Sequence, residues 1–255
     1  MEANLSFADD LRQSFVVMKN EIKKHARGKR LIIFVALYML ILVVIFAAFT
    51  YGSIGTSLDS RTMAQMYLSL VSLMTIIGVT LFGATAIVSE FEERTALIIF
   101  NRPIKKGSIY VGKFLAAFLI VLLVSALYYA GVAVVVTIGP GGVGTWLLES
   151  FGYLIVYIFA CLGMAFMISS FMKKSSTASI LTFFMLALLL DMLFLIIVVA
   201  AGIQDTWFML STAADAVTGC VVGTVADPIR NIAVMISWGL VPAILGFLIF
   251  RNRDF

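Results

Sequence analysis

The chain has 255 residues, 62% of them hydrophobic and only 13% charged, with a net charge of +4 and a mean hydropathy of +1.09. A soluble domain averages about 25% charged residues, so water is not the main solvent of this protein. With one histidine and two cysteines that lack metal-ligand spacing, the inventory excludes a zinc centre or a Ser-His site and gives no indication of redox chemistry.

The first element is amphipathic. Phe7, Leu11, Phe15, Met18 and Ile22 recur at helical spacing, with Arg12, Lys19, Lys23 and Lys24 on other faces. This predicts a helix over residues 5–29 lying flat at the membrane interface, because so short a piece is too small for a core of its own. His25 lies in its basic stretch and is expected in solvent or against headgroups. The acidic pair Asp9 and Asp10 ahead of the first apolar run argues against a signal peptide.

Apolar periodicity then predicts an all-α, polytopic membrane protein with six transmembrane helices, at roughly 31–50, 64–89, 109–136, 147–171, 177–200 and 232–250. No internal repeat and no soluble second domain is visible, so residues 1–255 read as a single transmembrane domain. An even number of spans puts both ends on one side. All but Arg61 and Arg230 of the 18 basic residues fall in the N-terminal stretch, the second-to-third and fourth-to-fifth connections and the tail. Basic residues beside spans stay in the cytoplasm, so both termini are expected there, in a multi-pass protein of the cell membrane. Orientation and anionic lipid account for the positive charge better than nucleic acid does. On the other side, the stretch from Thr137 is a short turn-rich loop, whereas 201–231 is long, moderately apolar and broken by glycines. It is expected to form an extracytoplasmic re-entrant segment of short helices capping the bundle, with Trp207 and Phe208 near the interface.

The densest charge outside the N-terminal stretch follows the second span. Glu90, Glu92, Glu93 and Arg94 are succeeded by an apolar patch, Leu97, Ile98, Ile99 and Phe100, and then by Asn101, Arg102 and Pro103. Proline disfavours helix at the residue before it, so a short amphipathic helix should end near Asn101 and the chain restart toward Lys113. Burying an apolar side chain of this size is worth about 1.5–3 kcal/mol, so the patch needs a cover. Lipid headgroups, the protein's own helix ends and a partner protein all remain open as that cover.

The order Glu93-Arg94-Thr95, Asn101-Arg102-Pro103-Ile104 and Gly112-Lys113-Phe114 resembles the second-to-third connection of ABC-2 type transporter permeases, in particular the NosY-like group. The leading interfacial helix, the six spans and the long outer connection before the last span extend the resemblance over essentially the whole chain. It implies a membrane-spanning permease subunit that moves cargo using ATP hydrolysed elsewhere, so this chain is a transport subunit and not itself an enzyme. Region 90–108 would then carry a cytoplasmic coupling helix seated in a groove of a separate ATP-binding subunit. Glu93, Arg94 and Arg102 would make its polar contacts, and Leu97, Ile98 and Phe100 its apolar anchor. The implied assembly has two ABC ATPase copies and a second permease copy in a homodimer. ATP and magnesium would sit in the partner, with no cofactor bound by this chain. Consistent with this, the sequence has no GxxxxGK[ST] phosphate loop.

Asp191 stands near the middle of the fifth span, where an acidic side chain costs about 2.5–3.5 kcal/mol on insertion scales, and should face protein or water. Cargo contact, proton coupling, a polar pair at a dimer seam and a protonated carboxyl bonded to a neighbour are all open for it. It also sustains the alternative reading of a self-sufficient channel or secondary carrier. Ser69, Ser72 and Thr75 form a loosely polar face of the second span that would line a conduit or serve helix packing. An intramembrane enzyme has little to work with here, because no paired intramembrane carboxylates accompany the lone histidine.

Overall fold

A computed structural model describes residues 7–51, 59–92, 105–138, 142–202 and 205–253. Every regular element among them is a helix. Helix α1 is Phe7–Ala26 and α2 is Lys29–Tyr51; α3, Ser60–Leu68, and α4, Val71–Phe82, together make the second crossing. After the short α5, Val88–Glu92, come α6, Lys106–Ile138, and α7, Trp146–Phe171. Helix α8, Ser175–Phe184, passes through a π-helical turn at Met185–Leu189 into α9, Leu190–Ala201. Helices α10, Leu210–Ala214, and α11, Ala216–Val222, precede the last, α12, Pro228–Asn252. Among the described residues, six stretches are long and apolar enough to cross a bilayer: Lys29–Phe49, Ser60–Phe82, Lys106–Thr137, Trp146–Phe171, Ser175–Ala201 and Pro228–Asn252.

Two spans depart from their expected form. The second is not one helix to residue 89. It breaks between α3 and α4, where the Ser69 hydroxyl turns back to donate to the Met66 carbonyl at 2.8 Å, and it leaves helical geometry after Phe82. There the Ile87 and Val88 amides donate to Ser169 Oγ, each at 3.1 Å, so a hydroxyl of the fourth span replaces helix carbonyls. The break also separates the three polar residues of this span: Ser69 is exposed while Thr75 is completely buried. The sixth span starts earlier than its apolar run, because Pro228 suits the first turn of a helix. Asp227, in the left-handed region at φ 40°, makes the turn into it. The fifth span ends at Gly202, whose φ of 64° is a conformation that glycine adopts without steric cost.

The fourth span is the centre of the bundle, with 72% of its apolar stretch buried, against only 11% for the first and for the fifth. Its crossing with the sixth is backbone on backbone: a Cβ on Gly163 would clash with the carbonyl of Gly239, and one on Gly246 would meet the Met167 backbone. Small residues permit this approach, which gains dispersion contacts where no hydrophobic drive acts between helices in lipid. Aromatic residues fill the core, and the hydroxyls of Tyr128, Tyr38 and Tyr129 are paired, whereas that of the buried Tyr67 has no hydrogen-bond partner among the described residues. Tyr128 donates to the Tyr67 carbonyl at 2.7 Å, Tyr38 meets Ser125 at 3.2 Å, and Tyr129 meets Ser150 at 2.8 Å.

Contacts between span ends define two poles. At one, the ends of the second, fourth and sixth spans meet the starts of the third and fifth, together with α1; this is the pole that carries most of the basic residues. At the other, α10 and α11 cover the start of the fourth span, with Val217 and Val221 fully buried and Ser150 donating to the Val217 carbonyl. Trp207 is exposed there, and Phe208 accepts a hydrogen bond on its carbonyl from Trp238 Nε1 at 3.0 Å.

Candidate functional site

At the basic pole the chain leaves the second crossing through α5 and returns at Lys105. Residues 93–104 between these points, with Glu93, Arg94, Leu97, Ile98, Phe100 and Arg102, lie outside the described residues. What the structure shows is the root from which that segment extends.

The root is built around Lys113. Gly112 lets α1 approach α6 closely, since a Cβ there would strike the Ser14 carbonyl and Val17. Two turns along α1, Glu21 therefore faces the neighbouring lysine. Lys113 Nζ donates to Glu21 Oε1 and to Glu90 Oε1, both at 2.6 Å. Lys113 is 3% exposed and Glu90 8%. One ammonium thus joins three elements: α1, the exit of the second crossing, and the start of the third span. Charges this deep are tolerable only when paired and hydrogen-bonded, so the three side chains specify one another's position.

His25 closes the α1 side, and it is not in solvent. Its side chain is 13% exposed, stands 3.8 Å from Glu21, and packs edge-on against Phe82 at 5.2 Å between ring centres. Burial pushes its pKa below the usual histidine value; Glu21 opposes that shift, whereas Lys24, Lys113 and Arg30 add to it. The imidazole is therefore neutral at pH 7 and serves as packing, a role its basic surroundings in the sequence conceal.

Further bonds tie the same root to the remaining spans. Glu92 Oε2 accepts from the Ser175 amide at 2.8 Å, capping the fifth span from another element, and the Ser175 hydrogen bonds hold this carboxyl below its ordinary pKa. The Arg253 guanidinium lies 4.0 Å over the Phe91 ring and donates to the Ser170 carbonyl at 2.9 Å, joining α5 to the ends of the sixth and fourth spans. On the returning side, Lys105 pairs with Asp10 of α1 at 2.8 Å, and Ser108 donates to the Asp10 carbonyl. Each end of residues 93–104 is thus anchored to α1, and the exit is fastened to three other spans as well. Among the described residues of this arrangement, no nucleophile or acid-base pair is poised for chemistry. The bonds shown tie helices together.

Sequence reading missed Glu21, the role of Lys113 and the Glu92 cap. A lysine inside the apolar run of the third span was the available signal, because such a charge must find a partner or reach an interface. Which carboxylates answer it depends on helices that meet only in the folded chain. Asp191 is away from this joint. It follows the π-helical turn of the fifth span, is half-buried, and interacts electrostatically with Asp215, which lies between α10 and α11. Burial, and after it the Asp191 charge, raise the Asp215 pKa. π-Helical turns occur often at functional sites.

A family model described as ABC-2 family transporter protein matches residues 15–255. A search of curated proteins finds no match.

Proposed function

The chain belongs to the ABC-2 transporter family, and from that premise, which makes it an ABC transporter permease, we propose how it is driven. Residues 93–104 dock in a groove of a separate ATPase subunit, which holds the ATP and magnesium. Leu97, Ile98 and Phe100 form the apolar anchor, and Glu93, Arg94 and Arg102 the polar contacts. The basic pole and both termini lie in the cytoplasm, in the cell membrane, as retention of Lys and Arg predicts. The order of residues from Glu93 to Phe114 supports placing the chain with the NosY-like group.

The observation that carries this reading is the buried Lys113 triad. A force applied to residues 93–104 reaches α1 and the third span through short, dry ionic bonds, and the fourth, fifth and sixth spans through Ser169, Ser175 and Arg253. Displacement of the docked segment moves the pole as one body, and cargo access alternates between two packings biased by the nucleotide state. A second permease copy completes the assembly, as the family resemblance implies; the first and fifth spans, the least covered within the chain, are the faces open to that copy or to lipid. Asp191, the lone carboxylate of an otherwise apolar stretch of the fifth span, then stands at the seam between the copies.

Purification of the permease with its ATPase tests the docking. Changing Leu97 and Phe100 together to Asp removes at least about 3 kcal/mol of apolar burial and is expected to weaken association about a hundredfold or more, with loss of coupled ATP turnover. Undiminished copurification would refute the assignment. If the permease alone, in vesicles, dissipated an ion gradient and Asp191→Asn stopped it, the self-sufficient carrier would replace this reading.

For this placement of Asp191, the measurement is thiol labelling of Asp191→Cys in a chain whose buried Cys161 and Cys220 are replaced by Ala. A hydrophilic maleimide is expected to react there faster than at Leu195→Cys on the same helix, and at a rate that changes with nucleotide. Equal, nucleotide-independent rates would put Asp191 in lipid or sealed packing.

A further inference from the structure

His25 sits where α1, α2 and the second and third spans converge. Its ring packs edge-on against Phe82, fully buried at the end of α4, and its Nε2 stands 3.8 Å from Glu21 Oε2. Glu21 is already committed, because its other oxygen, Oε1, accepts from Lys113 Nζ at 2.6 Å. The other charges acting on the imidazole are Lys24 on α1 itself, Arg30 at the start of α2 and Lys113 on the third span. Glu90 of α5 joins the cluster through Lys113, to which it is bonded at 2.6 Å. The ring therefore feels three cations and one carboxylate, and the contact from the second crossing, Phe82, is uncharged.

We propose that His25 is an acid-sensitive catch for α1: a proton taken up by its ring loosens α1 from the third span. A neutral imidazole is satisfied by packing against Phe82. An imidazolium in so enclosed a place needs a carboxylate, and 3.8 Å is outside hydrogen-bond reach. Glu21 closes that gap by leaving Lys113, or the charged ring leaves Phe82 for water. Either route breaks a contact that holds α1 in place, the first of them one arm of the Lys113 joint. The pH range follows from burial, which favours the neutral ring in the folded chain. The contribution of His25 is complete above the unfolded histidine value of about 6.5 and is lost as pH falls below it toward the lower folded value. The catch concerns α1 and the third span, so it holds whether or not residues 93–104 dock on an ATPase, and the permease alone is enough to test it.

Ser14, 6% exposed with its carbonyl against Gly112, reports whether α1 is seated. Ser14→Cys is placed in a chain whose Cys161 and Cys220 are replaced by Ala, and its reaction with a hydrophilic maleimide is timed at about pH 7.5 and about pH 5.5, on either side of the unfolded histidine value. The same thiol in the His25→Phe background, which keeps a ring against Phe82 but takes no proton, cancels the intrinsic pH dependence of the labelling reaction. The ratio of the two rates, His25 chain over variant, is expected to rise about tenfold on acidification, the change that one pKa unit supplies. Thermal melting without the reporter cysteine is the second readout: acidification should lower the melting temperature of the parent more than that of the variant. His25→Gln repeats both comparisons should His25→Phe not fold at neutral pH. A rate ratio and a melting difference that stay constant across this range overturn the proposal.

Discussion

Replacing Lys113 by methionine is expected to be among the most damaging single changes in this protein. The substitution leaves Glu21 and Glu90 facing a common point from which their shared ammonium, 2.6 Å from each, has gone. Two like charges then sit in a site already sealed by α1 and the third span. Breaking a buried pair by removing one partner costs about 3–5 kcal/mol, because the remaining charge is neither solvated nor compensated. Native stability is about 5–15 kcal/mol, so a large share of it is lost and the folded fraction should fall sharply on heating. The measurement is the fraction of monodisperse protein recovered after detergent extraction and a graded heating step. Changing Glu21 and Glu90 to Gln in the Lys113→Met background should restore much of the folded fraction, since no uncompensated charge then remains. A Lys113→Met protein as heat-resistant as the parent would show that the triad is not a structural joint. The neutral triple variant then isolates transmission: it should assemble with the ATPase yet couple poorly.

The second large effect is expected at Gly163. Its missing Cβ is what lets the fourth span meet the backbone of the sixth at Gly239, and a side chain would collide with a carbonyl that cannot rotate away. In Gly163→Leu the two helices must move apart, opening the most extensive helix pair among the described residues and exposing the contacts of Phe159 and Met167. Overpacking of a well-packed core costs about 1–3 kcal/mol, and a backbone-on-backbone clash belongs at or above the top of that range. Gly152→Leu is the matched control, since the same helix has nothing within 4 Å of the added Cβ there; such an open position is expected to change stability by no more than about 0.5 kcal/mol. Equal melting of the two variants would remove the glycine crossing as a determinant of the bundle.

Both predictions concern contacts made by residues far apart in the chain, and the same distinction separates what could be read early from what could not. Membrane class, helix content and the number of spans are properties of local runs, and they were legible within a few residues. Amphipathic spacing from Phe7 onward marked α1 before its neighbours were known. A stretch of charge after the second span was legible, and the coupling residues read from it lie outside the described residues. Its root was not, because Glu21, Glu90 and Lys113 are unremarkable singly and acquire meaning only as one buried cluster. His25 shows the same limit in reverse: its neighbours in sequence are cations, but its neighbours in space are Phe82 and Glu21.

The amino-acid order by itself determined that this chain dissolves in lipid and crosses it six times, since the free energy of placing some twenty apolar side chains in hydrocarbon depends only on composition and length. Only the tertiary structure decided which of the embedded charges are paired, where the second crossing breaks, which spans form the centre and which are left uncovered. Those outcomes depend on helix rotation and close approach, set by glycines and hydroxyls on partners distant in sequence, and no window along the chain contains both sides of such a contact.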